Sequence, residues 1–83
     1  MYEYQTRGVC SRRIFFDVAE DGTLHNVRFE GGCNGNLQGI GALVEGMNID
    51  DAITRLSGIR CGFKDTSCPD QLSRALTQFK EDF

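Results

Sequence analysis

Four cysteines, Cys10, Cys33, Cys61 and Cys68, are the residues in this chain best suited to chemistry. A thiolate is a nucleophile, a redox group and a soft metal ligand. The gaps between them are 22, 27 and 6 residues, with no Cys-x-x-Cys pair. Zinc-ribbon and thioredoxin motifs are therefore both absent. The flanks are more informative than the spacing. Cys33 sits in Gly31-Gly32-Cys33-Asn34-Gly35, just ahead of a helical pattern, and Cys68 precedes Pro69 at the opening of another. The positive end of a helix dipole stabilises thiolate, so both positions favour the reactive and metal-binding form. Cys10 lies just before a strand pattern and Cys61 in the loop ahead of the last helix. None of the four falls on an apolar stripe. Service as small buried hydrophobes is thus the weaker explanation.

The elements that must position these thiols follow from hydrophobic periodicity. Residues 2–7 alternate aromatic or β-branched with polar side chains, and Gly8 ends that short strand. Residues 12–19 place Ile14, Phe16 and Val18 on one face and Arg13, Phe15 and Asp17 on the other. Glu20-Asp21-Gly22-Thr23 reads as a turn. Residues 24–30 then put Val27 and Phe29 on one face and Leu24, Asn26 and Arg28 on the other, completing a hairpin. The period changes at Leu37, Ile40, Gly41 and Val44, which mark a helix over about 35–46. Asn48 is a cap for a second helix bearing Ile49, Ala52, Ile53 and Leu56, with Gly58 just past its end. Cys68 is the expected cap of the last helix, with Pro69 at its first position and Leu72, Ala75, Leu76, Phe79 and Phe83 as its stripe. Three strands followed by three helices predict an α+β fold: an antiparallel sheet with the helices on one face of a single domain spanning residues 1–83.

This topology sets the expected neighbourhood. The loop before one strand and the loop after its antiparallel neighbour lie at the same end of a sheet, so Cys10 and Cys33 should be close. Cys68 completes a cluster if the last helix packs across the sheet. A chain of 83 residues buries only about 60% of its unfolded surface, so a metal, a disulfide or a partner would add needed stability. Nine Lys and Arg against twelve Asp and Glu give a net charge of −3, which argues against a nucleic-acid partner. No apolar run approaches the roughly 20 residues of a membrane span, and the start MYEYQTRG has no signal-like apolar stretch. A cytoplasmic location is the expectation, where cysteines serve as ligands or redox groups more often than as disulfides.

Other candidates have simpler explanations. His25, the single histidine, lies at the end of the hairpin away from the cysteines and suits a solvated or sheet-face role. The glycine-rich run around Cys33 lacks the Lys-Ser/Thr of a P-loop. Ser67 has no base nearby in sequence and suits a hydrogen bond at the helix start. Asp65 and Asp70 suit the turn and the helix dipole. Arg12, Arg13, Arg60 and Lys64 belong near the cysteine end, either stabilising thiolates or solvated.

The run Thr66-Ser67-Cys68-Pro69-Asp70, in a chain of this length with four cysteines, resembles the TSCPD domain. That domain occurs at the C-terminus of adenosylcobalamin-dependent ribonucleotide reductases and as small free-standing four-cysteine proteins. The resemblance covers essentially the whole chain. A more distant one runs from Cys10 to Ala52 and is similar to the iron–sulfur scaffold proteins of the IscU/NifU type. Its carriers are Cys10, Ile14 to Val18, Asp21-Gly22, Val27 to Cys33, then Gly46 and Ile49-Asp50-Asp51-Ala52, with Cys68 opening a C-terminal helix. It implies an IscU/SufE-like fold. Scaffold proteins carry an Asp where this chain has Arg12, and Cys61 has no scaffold counterpart. Losing a weak carboxylate ligand and gaining a thiolate implies a closed site of Cys10, Cys33, Cys61 and Cys68 that retains its metal. Zinc is the first expectation for four sulfurs and iron or an iron–sulfur cluster the second.

The expectation is a four-cysteine zinc module associated with ribonucleotide reduction, with a reductase or another protein as partner. The alternatives are a thiol–disulfide pair (Cys61 with Cys68, or Cys10 with Cys33) serving a reductase, and cluster binding or transfer. The chain is too small for a reductase barrel or a cobalamin site, so no stand-alone catalysis is expected.

Overall fold

The computed structural model describes residues 1–32 and 34–82, so the expectations placed on Cys33 and Phe83 lie outside the described residues. Strands β1 (Tyr2–Gln5), β2 (Ser11–Val18) and β3 (Leu24–Gly31) are followed by helices α1 (Asn34–Val44), α2 (Ile49–Leu56) and α3 (Cys68–Asp82). The sheet is antiparallel in the order β1-β2-β3. This is the α+β arrangement expected from the periodicity. Ile14 and Phe16 of β2 and Leu24 of β3 meet Val44 of α1, Ile49 and Ala52 of α2, and Leu72, Ala75 and Leu76 of α3 in one core. Each large side chain buried there contributes about 1.5–3 kcal/mol. Tyr2, Phe16 and Phe79 stack edge and tilt at centroid separations of 5.0, 5.5 and 6.0 Å, fastening β1 and α3 to the middle strand.

Asn48 caps α2 as expected, its side-chain oxygen accepting the Asp50 N–H at 2.9 Å. The segment ahead of it pairs with the hairpin turn: the Leu24 N–H donates to the Met47 carbonyl and the Ile49 N–H to the Gly22 carbonyl. The α1–α2 connection is thereby stitched onto the sheet.

Two irregularities change which side chains face the helices. Ser11 pairs with Gly31 and Arg13 with Glu30, so β2 carries an extra residue at Arg12. Phe15 pairs with Arg28 and Asp17 with His25, so there the extra residue is on β3. Asn26 takes a positive φ of 58° at that bulge. Glu45 accepts its N–H at 2.9 Å, and its side-chain amide donates to Asp17 at 3.1 Å. An extra residue flips every side chain beyond it. Leu24 therefore joins Val27 and Phe29 on the core side and is fully buried. Simple alternation set it with Asn26 and Arg28 on the far face, and the bulge corrects that. The Arg12 bulge does the same for Ser11, which is 2% exposed although Arg12 is solvated.

Helix α1 lies on β3 through a backbone approach. A Cβ on Gly41 would stand 2.9 Å from the Val27 carbonyl oxygen, whereas one on Gly39 meets nothing within 4 Å. The pair makes a matched test. Gly39→Ala is expected to stabilise the chain by about 0.5–1 kcal/mol through helix propensity. Gly41→Ala is expected to lose about 1–3 kcal/mol despite the same propensity gain, because α1 must move off the strand. Urea melts of both variants check this, and equal gains would contradict the contact.

Candidate functional site

The start of α3 organises the cysteine end. Ser67, not Cys68, is its cap: the Ser67 hydroxyl accepts the Asp70 N–H at 3.1 Å, and the helix begins with Cys68 and Pro69. A hydroxyl is a stronger acceptor than a thiol, which accounts for the shift from the expected cap. The missing Pro69 N–H belongs to the turn whose donors have no helical partner anyway. Ser67 thus plays the helix-start role expected of it. Its hydroxyl proton goes to the Ile59 carbonyl at 2.7 Å.

Around this cap lies a buried polar junction. Asp70 and Gln71 are 3% and 2% exposed, and Thr66, Ser67 and Ser73 are buried beside them. The Asp70 carboxylate accepts the Gly58 N–H at 2.7 Å, the Thr66 hydroxyl, and Arg74 Nε at 3.0 Å. Gln71 donates to the Thr66 hydroxyl at 3.0 Å and accepts the Arg7 N–H at 3.1 Å. Among the described residues, no buried side-chain nitrogen or oxygen lacks a partner. Burial alone pushes the Asp70 carboxyl up. The Thr66 and Gly58 hydrogen bonds and the Arg74 charge outweigh that and hold it below the usual carboxylate range.

This junction fixes two cysteine-bearing loops by their backbones. Residues 57–65, between α2 and α3, are exposed throughout. Their anchors are the Gly58 N–H on Asp70, the Ile59 carbonyl on Ser67, and the Cys61 N–H on the Thr66 carbonyl at 3.2 Å. Ile59, Cys61 and Phe63 are exposed on this held backbone, beside Arg60 and Lys64. The other loop, between β1 and β2, is tied by Arg7 to Gln71 and by Thr6, whose hydroxyl donates to the Ser11 carbonyl. A Cβ on Gly8 would touch the Thr66 methyl at 3.6 Å, so the two loops converge on one residue.

The thiols are placed accordingly. Cys10 and Cys61 are exposed, Cys68 is half-buried, and all three are unbridged. Ser11 Oγ lies 3.1 Å from Cys68 Sγ. Cys10 is the preceding residue. On the other side, a Cβ on Gly32 would fall 3.1 Å from the Ser11 nitrogen and 2.8 Å from Leu37, so the chain just before Cys33 is pressed against Ser11. The structure thus brings the flanks of Cys10 and Cys68 together and holds the Cys61 loop to the same helix start. Among the described residues, no three His, Cys, Asp or Glu side chains converge to hold a metal ion.

The remaining candidates resolve simply. His25 lies at the turn end of the sheet, with Nδ1 2.5 Å from Glu45 and Nε2 2.8 Å from Thr23. Arg12 and Arg13 pair with Glu30 at 3.5 and 4.0 Å on the surface, where such pairs contribute about 0–1 kcal/mol. Sequence reasoning assigned Asp70 to the helix dipole and missed Ser11, Thr66 and Gln71. The Ser67-x-x-Asp70 spacing was a signal for the junction. Nothing local in the sequence signals the bulge that aims Ser11.

A family model described as the TSCPD domain matches residues 2–80. No curated protein and no solved structure matches the chain.

The ionised Asp70 carboxyl stabilises the fold. Its stabilising contribution is full above the unfolded value of about 3.9 and is lost as pH falls through the lower folded value. Asp70→Asn places an amide where three donors point and is expected to cost about 1–3 kcal/mol at pH 7. The gap between wild type and variant should narrow on acidification below about pH 4. Urea melts at pH 7 and pH 3 test this, and a pH-independent gap would contradict it.

Proposed function

The chain belongs to the TSCPD-domain family, and we propose that it is a metal-binding module whose donors are Cys10, Cys33, Cys61 and Cys68, with zinc as the resident ion. The observation that carries this reading is the 3.1 Å contact between Ser11 and Cys68, which joins the flank of Cys10 to the sulfur at the start of α3. The Cys61–Thr66 backbone bond supports adding Cys61 to the set. The donor chemistry fits: Cys10, Cys61 and Cys68 are unbridged thiols, two of them on exposed loop positions not committed to packing. Cys33 enters the proposal as the fourth thiolate, by its chemistry and the sequence position it occupies after Gly32.

Zinc held by four thiolates has no open position, so its chemistry is structural rather than hydrolytic. Bound, it supplies binding free energy that becomes folding free energy, about 10–16 kcal/mol in zinc-finger peptides. The chain's own residues supply the framework. Asp70, Ser67 and Gln71 hold the two loops, and the start of α3 carries Cys68.

The wider role proposed is accessory to ribonucleotide reduction, drawn from the TSCPD resemblance, with a reductase or another protein as partner. Ile59 and Phe63, exposed beside Arg60 and Lys64 on a backbone-anchored loop, suit partner contact. A second reading, a Cys61–Cys68 thiol–disulfide pair, draws on the same Cys61–Thr66 bond.

Single Cys→Ser variants at positions 10, 33, 61 and 68 separate the readings. The zinc site predicts that each loses metal retention at least tenfold and melts markedly lower, since each removes one of four ligands. A redox pair predicts that only two of the four matter. Four variants as stable as wild type, with no metal in any of the proteins, would overturn the zinc reading.

A further inference from the structure

We infer that Ser11 is a positioning residue for this site: its hydroxyl donates a hydrogen bond to the sulfur of Cys68 when that sulfur is a metal-bound thiolate. The inference rests on the four-thiolate reading and deepens it. Ser11 Oγ lies 3.1 Å from Cys68 Sγ, within reach of a sulfur acceptor. A metal-bound thiolate carries no proton, so in that state the hydroxyl has to be the donor. Ser11 is not itself a ligand.

The placement is over-determined in a way that an incidental surface serine is not. Ser11 is 2% exposed. The extra residue at Arg12 turns it to the helix side of the sheet, where strict alternation would have faced it away. Its carbonyl accepts the Thr6 hydroxyl, and the Arg12 carbonyl accepts the Thr6 N–H at 3.0 Å, so the strand start is held from β1's side. From the other side Gly32 packs so close that a Cβ there would meet the Ser11 nitrogen at 3.1 Å. Gly32 also takes a positive φ of 80°. The bulge, the Thr6 bonds and the glycine contact all fix one hydroxyl against one sulfur. A hydrogen bond to a ligating sulfur lowers its lone-pair energy and orients it, and the loss of such outer partners costs 10–100-fold in metal affinity.

The test uses the full chain, loaded in turn with Co²⁺ and Zn²⁺. Ser11→Ala is compared with wild type and with Thr77→Ala. Thr77 lies on α3 outside the polar junction, its hydroxyl donating to the Ser73 carbonyl at 2.9 Å. Two readouts are taken: the thiolate-to-cobalt charge-transfer band, and zinc affinity by competition with a chromophoric chelator. Ser11→Ala is expected to move the band to longer wavelength and to weaken zinc about tenfold. Thr77→Ala is expected to leave both readouts at wild-type values. A Ser11→Ala protein matching wild type in band and affinity overturns the inference, as does a Thr77→Ala protein shifted as far as Ser11→Ala. A wild-type chain that binds neither ion overturns the four-thiolate reading and the Ser11 role with it.

Discussion

A carboxylate removed from water has to be matched donor by donor, and the cysteine end of this chain is arranged around that requirement at Asp70. Desolvation opposes the charge, and Thr66, Gly58 and Arg74 together overcome it. The donors are not neighbours in one helix turn. Gly58 lies on the far side of an exposed loop, and Thr66 is linked through Gln71 to Arg7 in the loop before β2. Satisfying one buried charge therefore fixes two loops relative to the start of α3. An exposed loop held in this manner needs no apolar packing of its own. That explains how Ile59, Cys61 and Phe63 stand in solvent on a backbone held by hydrogen bonds.

The sheet contributes a second constraint of the same kind. Bulges on β2 and β3 each reverse the facing of the residues beyond them. One brings Leu24 into the core, and the other brings Ser11 to Cys68. Both are secured by specific partners, Glu45 and Asp17 for Asn26, and Thr6 for the strand start at Ser11. They behave as built features of the sheet that re-aim single side chains. In a small domain with a limited core, such devices let polar bonding do the positioning that packing does elsewhere.

The legible part of this fold was the part governed by period and by caps. Alternation at Ile14, Phe16 and Val18, the stripe at Leu72, Ala75 and Leu76, and the Asn48 cap each act within a few residues, so the α+β order could be read off directly. Leu24 could not, because a bulge one turn of pleat away decides its face. Pro69 points to Cys68 as the cap of α3, whereas hydroxyl acceptance puts the cap one residue earlier, at Ser67. At the site, the thiols were evident by type. The buried roles of Asp70 and Gln71 were not, since their partners Gly58 and Arg7 lie 12 and 64 residues away in sequence. Membership of the TSCPD family agrees with the motif that the junction is built from.

In this view the family's namesake residues serve as scaffold more than as reagents: Thr66, Ser67 and Asp70 hold loops, and Cys68 alone offers chemistry. The proposed zinc site is what that scaffold would present, an all-sulfur set closed to substrates and suited to stabilising a small domain against its marginal core. Zinc K-edge X-ray absorption on the anaerobically loaded chain tests this most directly. The predicted result is a single shell of four sulfurs at about 2.3 Å. A shell containing nitrogen or oxygen ligands, or a chain that retains no zinc, would contradict it.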